Sequence, residues 1–286
     1  MPDEAVRTEF HNGELTLVGD LWRSEPSRGT VVLLHGGGQT RHSWYQTGRR
    51  LGALGWTVLS TDSRGHGESS WARDKDYSID ALVSDLRVEV AGLDREPVLV
   101  GASMGGNTAL VGQGENPGLA AGLVLVDIVP RVEPEGLERI TSFMTARPDG
   151  FASLEEVAEA VREYNPHRRR PPTPDGLRKN VRLGDDGRWY WHWDPAFLLG
   201  GDEPARAERV ERIVGAARAI TVPTLLVRGK QSDIVSDQGV AELREMIPHA
   251  RAVDVSDAGH MVAGDDNDLF TESLLSFLDE AVPAAG

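Results

Sequence analysis

Three side chains far apart in the chain have the types and settings needed for nucleophilic attack on a carbonyl: Ser103, Asp233 and His260. Ser103 sits in Gly101-Ala102-Ser103-Met104-Gly105, a G-x-S-x-G motif between an apolar, strand-like run and a helix-like stretch. In that context the motif reads as a nucleophile elbow, a sharp strand-to-helix turn whose tip presents a hydroxyl. The flanking glycines are needed because the turn brings backbones too close for a Cβ. A hydroxyl is a poor nucleophile near neutral pH and requires a base within hydrogen-bond reach. Of the eight histidines, His260 follows the strand-like run in "ARAVDVSDAGH" and precedes the last helix, which places it at the same sheet edge as Ser103. His249 falls at the opposite edge and reads as surface. His11, His42 and His167 have no comparable placement, His66 reads as an organiser of its own loop, and His192 reads as structural.

The base in turn needs a carboxylate to fix its tautomer. Asp233, in "VRGKQSDIVS" just past a strand, is the preferred candidate, because a few loop residues let it reach the imidazole; Asp127, directly ending "LVLVD", is the alternative. The developing oxyanion requires donors. "LLHGGGQT" follows another strand and leaves the amides of Gly36, Gly37 and Gly38 unshielded as donors for an oxyanion, and Met104 N–H, at a helix N-terminus, is the expected second donor. The triple glycine lacks both the Gly-Lys-Ser/Thr ending and the G-x-G-x-x-G spacing of nucleotide loops.

These residues need a scaffold. "TVVLL", "WTVLS", "PVLVG", "GLVLVD" and "PTLLVRG" are continuous apolar runs of the kind buried on both faces of a parallel sheet. Helical periodicity between them (Ile79, Leu82, Val83, Leu86, Val90 and Leu93, with Ser78 as N-cap) implies right-handed crossovers. "EFHNGELTLVGDLW" predicts an antiparallel hairpin turning at Asn-Gly. From about Pro130 to Ala219 the strand pattern stops and amphipathic helices take over, one of them opening on a Ser153/Glu156 capping box. The expected organisation is an α/β core of residues 1–129 and 220–286 interrupted by a helical cap of residues 130–219.

Composition narrows the function classes. A formal net charge of −15 disfavours nucleic acid as a partner, and "PHRRRPP" reads as a solvated loop. With no cysteine there is no disulfide and no thiolate metal site, and no run is apolar enough for a membrane span. The expectation is a cytoplasmic protein acting on a small molecule, without metal or organic cofactor; a homodimer is allowed.

"HGGGQTRHSW", "DSRGHGESS", "VGASMGG", "GKQSDIV" and "AGHMV" together resemble the α/β-hydrolase superfamily, in its order and over nearly the whole chain. The nearest resemblance is to the cofactor-free esterase, perhydrolase and epoxide-hydrolase-like branch. It implies an eight-stranded, mostly parallel sheet with a cap after the sixth strand, nucleophile Ser103, acid Asp233, base His260 and oxyanion donors Gly37 and Met104. Epoxide hydrolases of this fold carry an aspartate where this chain has Ser103, which argues against epoxide opening. Trp189, Trp191 and Trp193, with Tyr190 and Phe197 beside them and Gly38 opposite, are the expected pocket walls or cap anchors. They favour a neutral, largely apolar ester or lactone. Carbon–carbon bond hydrolysis or perhydrolysis with the same triad, and a non-catalytic ligand receptor on this fold, are the alternatives.

Overall fold

The apolar runs become strands because their alternate residues can all be buried, one set on each face. A computed structural model describes residues 4–164, 173–198, 203–255 and 268–281. The hairpin β1 (Val6–Asn12) and β2 (Leu15–Trp22) turns through Gly13 at φ +62°, a conformation that favours glycine. It leads to β3 (Thr30–Leu34), α1 (Tyr45–Ala53), β4 (Thr57–Thr61), α2 (Ile79–Ala91), β5 (Val98–Ala102), α3 (Met104–Glu115) and β6 (Gly122–Val126). An insertion follows, with α4 (Pro134–Thr145), α5 (Leu154–Tyr164), α6 (Pro174–Leu177), the short strands β7 (Val181–Leu183) and β8 (Trp189–Trp191), and α7 (Glu203–Arg218). The chain then returns as β9 (Thr224–Gly229), α8 (Asp237–Met246), β10 (Arg251–Val255) and α9 (Asp268–Ala281).

The main sheet has eight strands in the order β1-β2-β4-β3-β5-β6-β9-β10, with only β2 antiparallel to its neighbours. Strand neighbours alternate faces. Val31, Val58, Val100, Val124 and Leu225 point toward α1 and α9, where Leu51, Phe270, Leu274 and Phe277 cover them. Val32, Leu59, Leu99, Leu123 and Leu226 point toward α2, α3 and α7. The core strands are buried throughout their length, which is why they read as unbroken apolar runs.

The insertion differs from the expected 130–219 cap at its far end. Met144, Phe151, Val157, Leu177, Trp191 and Trp193 form their own apolar cluster, yet Ile213, Ala216 and Ala217 of α7 join the core cluster beneath α3. The contact is backbone to backbone: a Cβ on Gly114 of α3 would strike the carbonyl of Ala216. The expected N-caps are present. Ser78 Oγ accepts from Ala81 N–H at 3.3 Å. Ser153 Oγ accepts from Glu156 N–H at 3.4 Å, while the Glu156 carboxylate takes the N–H of Ala152 rather than that of Ser153. Among the described residues no helix is long and apolar enough to cross a membrane.

The α3–α7 contact predicts that Gly114→Val lowers unfolding stability by about 1–3 kcal/mol, as overpacking a tight interior site does. Urea titration against wild type measures it; an unchanged midpoint would show that α7 is not held against α3.

Candidate active site

All functional loops leave the carboxyl-terminal ends of the parallel strands, the edge at which open α/β sheets bind ligands. At the β5–α3 turn, Ser103 has φ +47° and ψ −113°, a conformation that costs a non-glycine residue energy and persists only when the surroundings impose it. The surroundings do impose it. A Cβ on Gly101 would strike the Gly105 carbonyl, and one on Gly105 would strike the backbone of Leu34 in β3.

Where the backbone N–H groups of the two loops go is informative, because a donor without an acceptor is rare in an interior. Ser103 N–H donates to Val126 O at 3.4 Å and Gly105 N–H to His35 O at 3.2 Å, leaving Met104 N–H between them without an acceptor among the described residues. The loop after β3 repeats the pattern. Gly36 N–H donates to Gln39 Oε1 at 3.0 Å and Gly38 N–H to His66 Nε2 at 3.1 Å, leaving Gly37 N–H over. Gly37, Met104 and Ser103 all line one cavity of about 1850 Å³. Two unclaimed amides facing one hydroxyl can hold the negative charge that forms when that hydroxyl attacks a carbonyl.

The glycine loop is held by three buried histidines. His35 donates Nδ1–H to Gly36 O (2.8 Å) and accepts Ser63 N–H at Nε2 (3.0 Å). His66 donates Nδ1–H to Arg64 O (3.1 Å) while its Nε2 accepts from Gly38. His192, from the insertion, accepts Gly67 N–H at Nδ1 (2.8 Å) and donates Nε2–H to Gly38 O (3.3 Å). Each ring therefore has one donating and one accepting nitrogen, the neutral tautomer. Burial lowers all three pKa values, that of His192 to about 4, and the neighbouring rings add to the effect on His66. His66 organises its loop and His192 is structural, as the sequence suggests, but the pairing of His192 with Gly38, 154 positions away, has no local signal.

The loop carrying His66 rests on buried ion pairs. Asp62 takes the Arg41 guanidinium and the N–H groups of Arg41 (2.7 Å) and Glu68 (3.0 Å). Arg64 grips Asp85 with two bonds of 2.6 and 2.7 Å.

The two candidate carboxylates have different surroundings. Ala102 of β5 is the register partner of Val126 of β6, so Ser103 and Asp127 are the next residues on adjacent strands. Asp127 is buried, at φ +50°, with Oδ1 accepting Gly229 N–H at 3.0 Å and Oδ2 accepting the Ser232 hydroxyl at 2.7 Å. Asp233 instead is 30% exposed and paired at 2.7 Å with Arg139 of α4. His260 lies outside the described residues. Phe270 and Thr271 of α9 line the cavity.

Of the expected aromatic walls, Trp191 and Trp193 line the cavity, stacked with centroids 4.9 Å apart. Trp189 does not. Its backbone bridges Phe151 and its ring lies under Arg178, at the start of β8 and away from the cavity. Met144, Phe143 and Phe197 complete the wall, with Met144 and Trp193 pressed on Gly38 and Phe197 on Gly37.

The chain matches the family described as alpha/beta hydrolase fold over residues 29–266. It is 32% identical over 259 residues to the esterase Rv0045c of Mycobacterium tuberculosis, covering 87% of this chain and 82% of the relative. The crystal structure of that esterase superposes with a TM-score of 0.74 over 96% of this chain and 91% of the other, at 29% identity. A 3-hydroxybutyrate-oligomer hydrolase of Cupriavidus necator is 29% identical over 242 residues, covering 77% and 80%.

The three neutral rings make acid stability a test of the loop. Unfolded histidines bind protons below about pH 6.5, while the folded rings resist them, so stability is complete above that pH and falls as pH drops toward about 4. His192→Gln is expected to flatten that fall in part, leaving the contributions of His35 and His66; equilibrium unfolding between about pH 4 and 7 measures it. Identical slopes in the two proteins would exclude His192 as a contributor. Its fold, its glycine-lined elbow and its relatives agree: the chain belongs to the alpha/beta hydrolase fold family and is a hydrolase.

Proposed function

We propose that the protein is a serine esterase that works through an acyl-enzyme. Ser103 is the nucleophile, His260 the base, Asp127 the orienting carboxylate, and Gly37 N–H and Met104 N–H the oxyanion donors. The observation that carries this reading is the strained Ser103 beside two amides that the protein leaves unclaimed. Ser103 Oγ bonds to the ester carbonyl carbon as its proton passes to His260, and the carbonyl oxygen becomes the oxyanion between the two amides. Collapse expels the alcohol, which takes the proton from the imidazolium. Water then repeats the sequence and releases the acid.

Asp127 takes the place of the expected Asp233 for physical reasons. A carboxylate that fixes an imidazole must itself be fixed and desolvated. Asp127 is held by Gly229 and Ser232 one strand from the nucleophile, whereas Asp233 faces Arg139 of the insertion. The apolar wall of Phe143, Met144, Trp193 and Phe197 supports an apolar acyl group next to the scissile bond. The resemblance to an esterase and to an oligomer hydrolase supports an ester as the bond cleaved.

Hydrolysis of p-nitrophenyl butyrate is expected to fall about 10³-fold or more in Ser103→Ala and His260→Ala. Asp127→Asn should cost about 10²-fold or more while Asp233→Asn stays near wild type; the reverse order would return the acid role to Asp233. Within the range where circular dichroism shows the fold intact, kcat/KM should rise with pH through about 6.5 as the base loses its proton. A profile flat across that range would remove histidine from the mechanism.

A further inference from the structure

The cavity above Ser103 has a charge opposite to that of the chain around it. The sequence holds 45 acidic and 30 basic residues. Among the described residues lining the cavity the balance inverts: Arg49, Arg50, Lys75, Lys179, Arg206 and Arg209 against Asp76 and Glu138. Lys75 is matched by Asp194 at 3.0 Å. Arg49, Arg206 and Arg209 hold no carboxylate among the described residues, although twelve other arginines of the chain do.

Helix geometry places these charges in order. On α7 the cavity-facing positions are Arg206, Arg209, Val210 and Ile213, spaced as one helical face. That face runs from exposed guanidiniums to the buried Ile213. On α1 the lining positions Gln46, Arg49, Arg50 and Ala53 are also spaced as one helical face, all of it exposed, with buried Thr47 beside it. Each helix therefore offers a pair of arginines at the rim of a cavity whose depth is apolar. An acyl chain can lie along the aromatic wall while a charged end remains at the rim. The guanidinium fork matches a carboxylate, as Arg64 on Asp85 and Arg212 on Glu115 show within this protein.

We infer that the physiological substrate is an ester whose acyl or alcohol part ends in a carboxylate, received by the arginine pairs of α1 and α7 while the ester lies at Ser103. This rests on the esterase reading and replaces the neutral substrate expected from the tryptophans alone. Attraction of this kind raises the encounter rate with an anion and weakens with salt.

The test compares the p-nitrophenyl ester of hexanoic acid with the p-nitrophenyl hemi-ester of adipic acid, which differ by a terminal carboxylate. At about 20 mM salt kcat/KM should favour the adipate by about tenfold, and the ratio should shrink toward one at about 500 mM. Arg49→Gln/Arg50→Gln or Arg206→Gln/Arg209→Gln should lower the low-salt ratio, whereas Arg95→Gln, on the surface before β5, should keep it. A ratio at or below one in wild type, or a ratio that neither double variant changes, overturns the inference. The esterase reading is judged separately, by whether hexanoate cleavage is lost in Ser103→Ala. Cleavage through Ser103 without preference for the adipate sinks only the carboxylate subsite.

Discussion

The first turn of α3 lies against the ends of β5 and β3 so closely that no side chain fits between them, and the rest of the site depends on that contact. Gly101, Gly105 and Gly106 occupy the points where a Cβ would strike backbone. Because the helix must start there, the residue at the turn is forced to positive φ, and its side chain is driven away from both strand and helix toward the cavity. The same geometry isolates the amide of Met104. Its neighbours on either side find carbonyls at the ends of β6 and β3, and the helix dipole adds to the positive potential at the amide left over. A projecting hydroxyl and an unclaimed amide are thus two results of one steric constraint.

The facing amide, on Gly37, has no such helix to fix it, and a run of three glycines is a flexible support for a donor that must be aimed in advance. Neutral imidazoles supply the missing rigidity. A neutral ring can donate on one side and accept on the other, so His66 and His192 take both polar groups of Gly38, one each, without placing charge beside the Gly37 amide. His192 also accepts from Gly67, and Asp194 receives Tyr77 and Lys75 while its own N–H bonds Gly65. The insertion is therefore fastened to the core at the loops that shape the site.

The strands were legible because burial on both faces leaves an unbroken apolar run, as in Thr30–Leu34, Val98–Ala102 and Gly122–Val126. Ser103 was legible because the glycines that permit its turn are fixed in spacing. What stayed hidden depends on partners distant in sequence. The register Ala102 with Val126 makes Asp127 the neighbour of Ser103, and register across a parallel sheet has no local mark. Arg139, which occupies Asp233, lies 94 positions before it. Trp189 and Trp191 are alike in sequence as members of a cluster of rings, and what separates them is distant: Trp189 pairs with Phe151 and lies under Arg178, while Trp191 stacks on Trp193 at the cavity. Likewise α7 reads as part of a helical insertion, and only its packing on α3, through Ile213, Ala217 and the close approach of Ala216 to Gly114, assigns it to the core.

Charge in this protein is sorted by depth. The floor of the cavity carries a hydroxyl, two amides and apolar walls, while the buried ions around it are each matched: Arg41 with Asp62, Arg64 with Asp85, and Asp127 with Gly229 N–H and the Ser232 hydroxyl. An unpaired cation at the floor would bind any passing anion there and hold it in the ground state, which lowers no barrier. At the rim the same cation loses little hydration and acts on the substrate's remote end, where binding energy can position the ester. A chain of net charge −15 keeps anions at a distance over most of its surface. Its cationic residues therefore discriminate most where they gather, and among the described residues they gather at the rim of the cavity that holds Ser103.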